Sequence, residues 1–260
     1  MVVVSTMWMS DQPVEVQFTM RSSRAQLVAI ALVAVLGGGC APDPRAADGS
    51  AGVRHGVASP SSTVDLSILE AGGRVDARVF GTPAELLRSP HAQLAAQGTI
   101  DGIEEGPTVL ESESGLGYPD LRESFAAVRV KVDVAYRGES DLRRSPYVYV
   151  ALSRGVEAVD EKGEPVRSPG SRSTVTDLDA FAEALPIGTR VMVMGQRWAA
   201  LPGQRVVPAA SGDALTSAPF VSGLHPQALA VETKPGGPVS GWPGYTFSRL
   251  VDETARTAEE

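Results

Sequence analysis

In FAAVRVKVDVAYRG, from Phe125 to Gly138, Val128, Val130, Val132, Val134 and Tyr136 alternate with Arg129, Lys131, Asp133 and Ala135. Successive side chains on a strand point to opposite faces, so this spacing predicts a strand with one apolar face and one wet face. PYVYVAL, from Pro146, is apolar at nearly every position and reads as a central strand covered on both sides. AQLAAQGTIDGI, from Ala92, predicts a strand ending at a turn through Glu105-Gly106-Pro107, and TRVMVMGQRW predicts another from Thr189. VEAVDEKGEPVRS reads as a hairpin about Lys162-Gly163, and short strands are expected in LPGQRVVP, from Pro219 to Gly223, and in PQALAVET. Thr82-Pro83-Ala84-Glu85 carries the signature of a helix start, with Thr82 as cap and Pro83 in the first helical position. Thr176-Asp177-Leu178-Asp179 opens a second helix that places Leu178, Phe181 and Leu185 on one face, and a last helix follows Thr246 with Phe247, Leu250 and Val251 inward.

Three strands, a helix and two or more further strands is the order of a small OB-like five-stranded barrel, so the expected class is mostly β with peripheral helices; a β-sandwich is the alternative. The chain divides into three parts on this reading. Residues 1–39 are a signal peptide whose true start is Met20, residues 40–74 are a lipidated cysteine and flexible linker, and residues 75–260 are one β-rich domain closing with a helix.

The N-terminal division rests on Met20-Arg21-Ser22-Ser23-Arg24, a short positive segment, followed by an uncharged apolar run from Ala25 to Leu36. That is the layout of a secretory signal, and the run falls short of the ~20 apolar residues that span a bilayer. It ends at Gly38-Gly39-Cys40, where the single cysteine of the chain stands. A lipoprotein signal ends in this way, its cysteine lipidated on sulfur, although the aliphatic residue usual three places before the cysteine is Gly37 here and Leu36 lies one farther out. Two acyl chains on Cys40 would hold the protein stably at a membrane, where one would not. A secreted product and an uncleaved N-terminal helix are the alternatives. Beyond Cys40, APDPRAADGSAGVRHGVASP has no apolar period and reads as a tether.

Composition narrows the chemistry. The net charge of −8 and the absence of a Lys/Arg cluster beyond Arg143-Arg144 speak against nucleic acid as a partner. One cysteine permits neither an internal disulfide nor a site built from several thiolates. His55 falls in the tether, while His91 and His225 each adjoin a proline and read as isolated turn residues, so no metal and no cofactor is expected. Ser153 and Ser168 read as loop serines, without the G-x-S-x-G elbow of an activated nucleophile. Glu104, Glu105, Glu111 and Glu113 read as a charged loop, since paired glycosidase carboxylates face each other across a cleft. Trp198, Trp242 and Tyr245 are the candidate ligand contacts, as aromatic faces that stack on a glycan or peptide; beside Pro and Gly, such residues also pin loops to a core.

TPAELLRSPHAQLAAQGTIDGIEEG, VRVKVDVAYRG, LPIGTRVMVMG, PQALAVET and GWPGYTFSRLV, spread from about Pro83 to Val251, together resemble uncharacterised actinobacterial lipoproteins and secreted proteins. The resemblance implies an exported β-rich domain and supplies no catalytic residue. The expected function is therefore a membrane-anchored extracytoplasmic lipoprotein that is not an enzyme. It would sit on the outer face of the plasma membrane through the lipid on Cys40 and engage an envelope protein or a glycan. An exported hydrolase-type enzyme with a dispersed active site is the alternative.

Overall fold

The computed structural model describes residues 63–73, 77–111, 120–142, 145–167, 170, 173–201, 203–209 and 218–260. In chain order the strands are β1 (Leu94–Glu111), β2 (Asp120–Arg137), β3 (Tyr147–Val159), β4 (Arg190–Gly195), β5 (Arg205–Val207), β6 (Phe220–Ser222), β7 (Leu229–Val231), β8 (Pro238–Val239) and β9 (Trp242–Thr246). The helices are α1 (Pro83–Arg88), α2 (Glu139–Leu142), α3 (Leu178–Ala184) and α4 (Phe247–Glu259), with a 3-10 turn at Leu66–Glu70.

The protein is mostly β. One mixed seven-stranded sheet runs β6-β3-β2-β1-β4-β7, with β5 pairing to the outer half of β1, and β8-β9 form a separate ribbon. Every neighbouring pair on that path is antiparallel except β3–β6, which is parallel. Past β4 the chain reaches β6: the Trp198 N–H donates to the Phe220 carbonyl at 2.8 Å, and the Ser222 N–H to the Gln196 carbonyl at 3.0 Å. A single bridge, Arg197–Val221, marks the meeting. The expected barrel is thus not closed by a continuous ladder, because β6 is only three residues long and the segment just past β4 meets it through one bridge. The alternative sandwich fails too, since the only other sheet among the described residues is the β8–β9 ribbon.

The two faces of the sheet bury different clusters. Ala96 and Ile100 of β1, Val128 and Val130 of β2, Val148 and Val150 of β3 and Val191 and Val193 of β4 share an interior with Phe181 and Leu185 at and just beyond α3. On the other face Ala95, Met192, Met194 and Ala230 lie under Leu86 and Leu87 of α1 and Phe247 and Leu250 of α4. Both sides of β4 and β7 are therefore apolar, as RVMVMG and LAV require. The α1 cap forms as the sequence indicates: Thr82 Oγ1 accepts from the Glu85 N–H at 3.2 Å, and the Glu85 carboxylate accepts from the Gly81 N–H at 2.9 Å. Asp177 at the start of α3 makes no side-chain capping bond.

Three expectations are corrected. First, β1 does not turn at Glu105-Gly106-Pro107 but continues to Glu111, with a register shift between Glu105 and Thr108. A bulge absorbs the missing proline N–H, and Gly106 lets the backbone pass close to Phe125. Second, Val128 to Tyr136 do not share a face. Gln97 pairs with Val134 but Gly98 with Val132, so Asp133 is an extra residue that rotates Val134 and Tyr136 to the outer face. Val134 is exposed and the Tyr136 hydroxyl donates to Gln97 Oε1 at 3.0 Å. Third, residues 64–71, assigned to the linker, belong to the fold: Ile68 is buried in the interior cluster, and the Asp65 N–H donates to the Ala184 carbonyl at 2.9 Å.

Candidate functional site

Beyond the apolar interior, β1, β2 and β3 run on as a polar extension. Pairing aligns Arg205 of β5 with Leu110 of β1, Leu110 with Arg122 of β2, and Arg122 with Glu157 of β3. Paired residues share a face, so these four form one row across the sheet. Thr108 and Ser124 make the adjacent row on the same face. At Gly155 the register slips between Ser124 and Phe125, leaving Arg154 as the extra residue of a bulge. The hairpin around Gly163 and the segment Ser173–Asp177 complete the wall, and the row becomes the floor of a groove of about 560 Å³. That lies inside the ~300–1,000 Å³ span of small-ligand clefts.

Charge in the groove opposes that of the whole chain. Arg122, Arg154, Lys162, Arg167 and Arg205 line it against Glu105, Glu157 and Asp177, five cations to three anions in a chain of net charge −8. A concave surface of one sign focuses potential and concentrates counter-ions. Glu157 sits at its centre, with its side chain 8% exposed, and accepts from Arg122 Nη2 at 2.6 Å and Arg167 Nη2 at 2.7 Å. Burial disfavours the Glu157 charge, but the two guanidinium bonds outweigh it and hold the carboxyl below the usual carboxylate range. A carboxylate so committed is a scaffold for arginines, with little capacity to accept a further proton. Arg122 also donates Nη1 to the Gly163 carbonyl at 3.0 Å, tying the hairpin to β2, while its buried Nε–H has no acceptor among the described residues. Arg154 Nε donates to the Thr176 carbonyl at 2.8 Å and its Nη1 lies 3.9 Å from Glu105.

The sequence-selected residues fall elsewhere. Trp242 is 1% exposed and meets Tyr245 edge-on at 5.8 Å, in the cluster under α1 and α4. Trp198 is wedged between Phe125 and Phe220, its ring edge-on to both at 5.9 and 5.5 Å. These aromatics are divided between two clusters and none lines the groove. Cys40, His55, Glu113 and Ser168 lie outside the described residues. Glu104, Glu105 and Glu111 belong to strand β1, not to a loop, and Glu104 is buried against Arg129 Nη1 at 2.6 Å on the opposite face of the sheet. Ser153 is likewise a strand residue with a buried hydroxyl. Burial pushes up the pKa of its neighbour Glu123, on that same opposite face.

His91 and His225 are not isolated: their rings stack at 6.2 Å, with Phe80 5.6 Å from His225. His225 Nδ1 accepts from the Gln227 N–H at 3.1 Å, which makes Nε2 the donor to the Arg78 carbonyl at 2.9 Å. Burial lowers the His225 pKa and the neighbouring His91 adds to the effect, against the Arg78 bond. A lowered imidazole pKa contributes stability that is full above the unfolded value of about 6.5 and is lost as pH falls below it. The urea midpoint should therefore drop between pH 7 and pH 5.5, and in His225→Gln that drop should shrink; an unchanged slope would remove His225 as its source.

The groove escaped sequence reading because its cations are scattered from Arg122 to Arg205 and each has an ordinary local setting. Among the described residues no three His, Cys, Asp or Glu side chains gather as metal ligands, and no helix is long and apolar enough to cross a membrane. Comparison with protein-family models, with curated proteins and with solved structures finds no match.

Proposed function

We propose that the chain is a lipid-anchored extracytoplasmic lipoprotein whose β domain is a non-enzymatic binding module, with the groove as its ligand site. The observation that carries this reading is the state of Glu157, the most buried carboxylate of the groove, which is consumed by two arginines and so serves binding electrostatics in preference to proton transfer. The domain is of OB type on this proposal. Supporting features are the parallel β3–β6 pair, α3 between β3 and β4, and the Arg197–Val221 bridge that brings β4 to β6. OB barrels carry ligands beside strands 2 and 3 and the loops after strands 1 and 4, which is where Arg122, Glu157 and β5 stand. The resemblance to actinobacterial lipoproteins, the charge layout before Ala25 and the Gly38-Gly39-Cys40 sequence support the anchor, with the partner an envelope component.

Mass spectrometry of the mature protein from its native cell should find Cys40 as the N-terminal residue carrying added acyl mass. Cys40→Ala should leave the membrane fraction or stall before processing. A mature chain that still begins at Met20 would overturn the anchor.

A further inference from the structure

We infer that the groove takes an anionic oligosaccharide, a short sugar chain bearing carboxylate or phosphate groups; this rests on the domain being a binding module. Two features of the lining select that chemistry. Arg205 and Lys162 are exposed and have no ion pair among the described residues, and they stand at opposite ends of the floor, one on β5 and one on the hairpin beyond β3. Adjacent strands lie about 4.8 Å apart, so Arg205 and Arg122 are separated by roughly 10 Å across β1. Cations at that spacing suit charges repeated along a chain better than one small anion.

The uncharged part of the lining then separates polymers. Thr108, Ser124 and Ser173 place hydroxyls along the groove, as partners for sugar hydroxyls. Among the described residues no aromatic side chain lines it, so these residues offer single-stranded nucleic acid no platform for its bases. A neutral sugar would likewise lack an aromatic face, whereas an anionic one is held by guanidinium forks. Among the described residues apolar contacts are limited to Leu110, Val175 and Val207, too few to seat the side-chain anchors of a peptide.

The test is calorimetric titration of the full chain with tetragalacturonate, its fully methyl-esterified form, a phosphate-substituted oligosaccharide, a tetraglutamate peptide and a short oligothymidylate. One or both anionic sugars should bind, the pair distinguishing carboxylate from phosphate, and the ester should not. Binding should weaken as salt rises from about 50 to about 300 mM, because exposed charges are screened over that range. The double variant Arg205→Ala/Lys162→Ala should lose at least tenfold in affinity with an unchanged melting curve, and Arg205→Glu alone should do the same. Failure of both anionic sugars, equal binding of the ester, or full affinity in the variants would overturn the site. Tighter binding of the peptide or the oligothymidylate would overturn the sugar and leave a binding groove. None of these outcomes touches the N-terminal mass at Cys40, which tests the anchor separately.

Discussion

Trp242→Ala is expected to destabilise the domain by about 3–5 kcal/mol, the cost of removing a fully buried aromatic side chain and leaving a cavity behind. Trp242 lies among Leu86, Leu87, Met192, Met194, Phe247 and Leu250, contributed by α1, β4 and α4. Truncation therefore loosens both helices from the sheet at once. The Nε1–H has no partner among the described residues, so part of what the indole contributes through packing is offset by an unpaired buried donor. Trp242→Phe keeps most of the ring without that donor and should cost less than the alanine variant. Urea unfolding followed by circular dichroism measures both. Ligand affinity of the folded fraction should stay unchanged, because Trp242 is absent from the groove. A loss of affinity with full stability would return Trp242 to the role of ligand contact that its place beside Pro243-Gly244 suggested.

Gly155→Ala should cost about 2–5 kcal/mol and deform the groove. The residue has φ +135°, and an added Cβ would lie 2.3 Å from the Thr174 carbonyl oxygen. Two penalties combine: a backbone conformation that L side chains rarely adopt, at about 1–3 kcal/mol, and overpacking of similar size. Relief requires Thr174 to move, and Thr174 Oγ1 bonds the Val156 carbonyl at 2.7 Å while the Thr176 N–H bonds the Arg154 carbonyl at 2.8 Å. The wall carrying Ser173 and Val175 would be displaced from the arginines. Gly163→Ala is the control: its φ of +82° is also left-handed, but nothing lies within 4 Å of an added Cβ. It should cost only about 1–2 kcal/mol. Equal unfolding midpoints for the two variants would show that the Thr174 contact does not constrain the bulge.

Locally coded features were legible in the letters. Thr82-Pro83-Ala84-Glu85 caps α1 as written, since a cap involves only neighbours in sequence. The helical period of α3 places Phe181 on its buried face, and Leu185, just past its end, is buried beside it, as the spacing predicted. Periodicity misled in β2, where the face assignment of Val134 and Tyr136 depends on a bulge against β1. An extra residue opposite Gln97 and Gly98 is a property of the pair of strands, and neither strand encodes it by itself.

The site divides in the same way. Trp198, Trp242 and Tyr245 were conspicuous because rare aromatics beside Pro and Gly stand out in any sequence; in the fold Trp242 and Tyr245 are buried and Trp198 is half-buried against Phe125 and Phe220. The groove had no such signal, for Arg122, Arg154, Lys162, Arg167 and Arg205 come together only through strand register and the hairpin that folds back over β2. Sequence by itself determined the strand-rich class and the α1 cap, because each depends on short-range pattern. Which faces the strands bury, how β4 reaches β6, and where a net-negative chain concentrates positive charge were decided by the tertiary structure, because side chains distant in sequence acquire a shared environment only when the sheet is assembled.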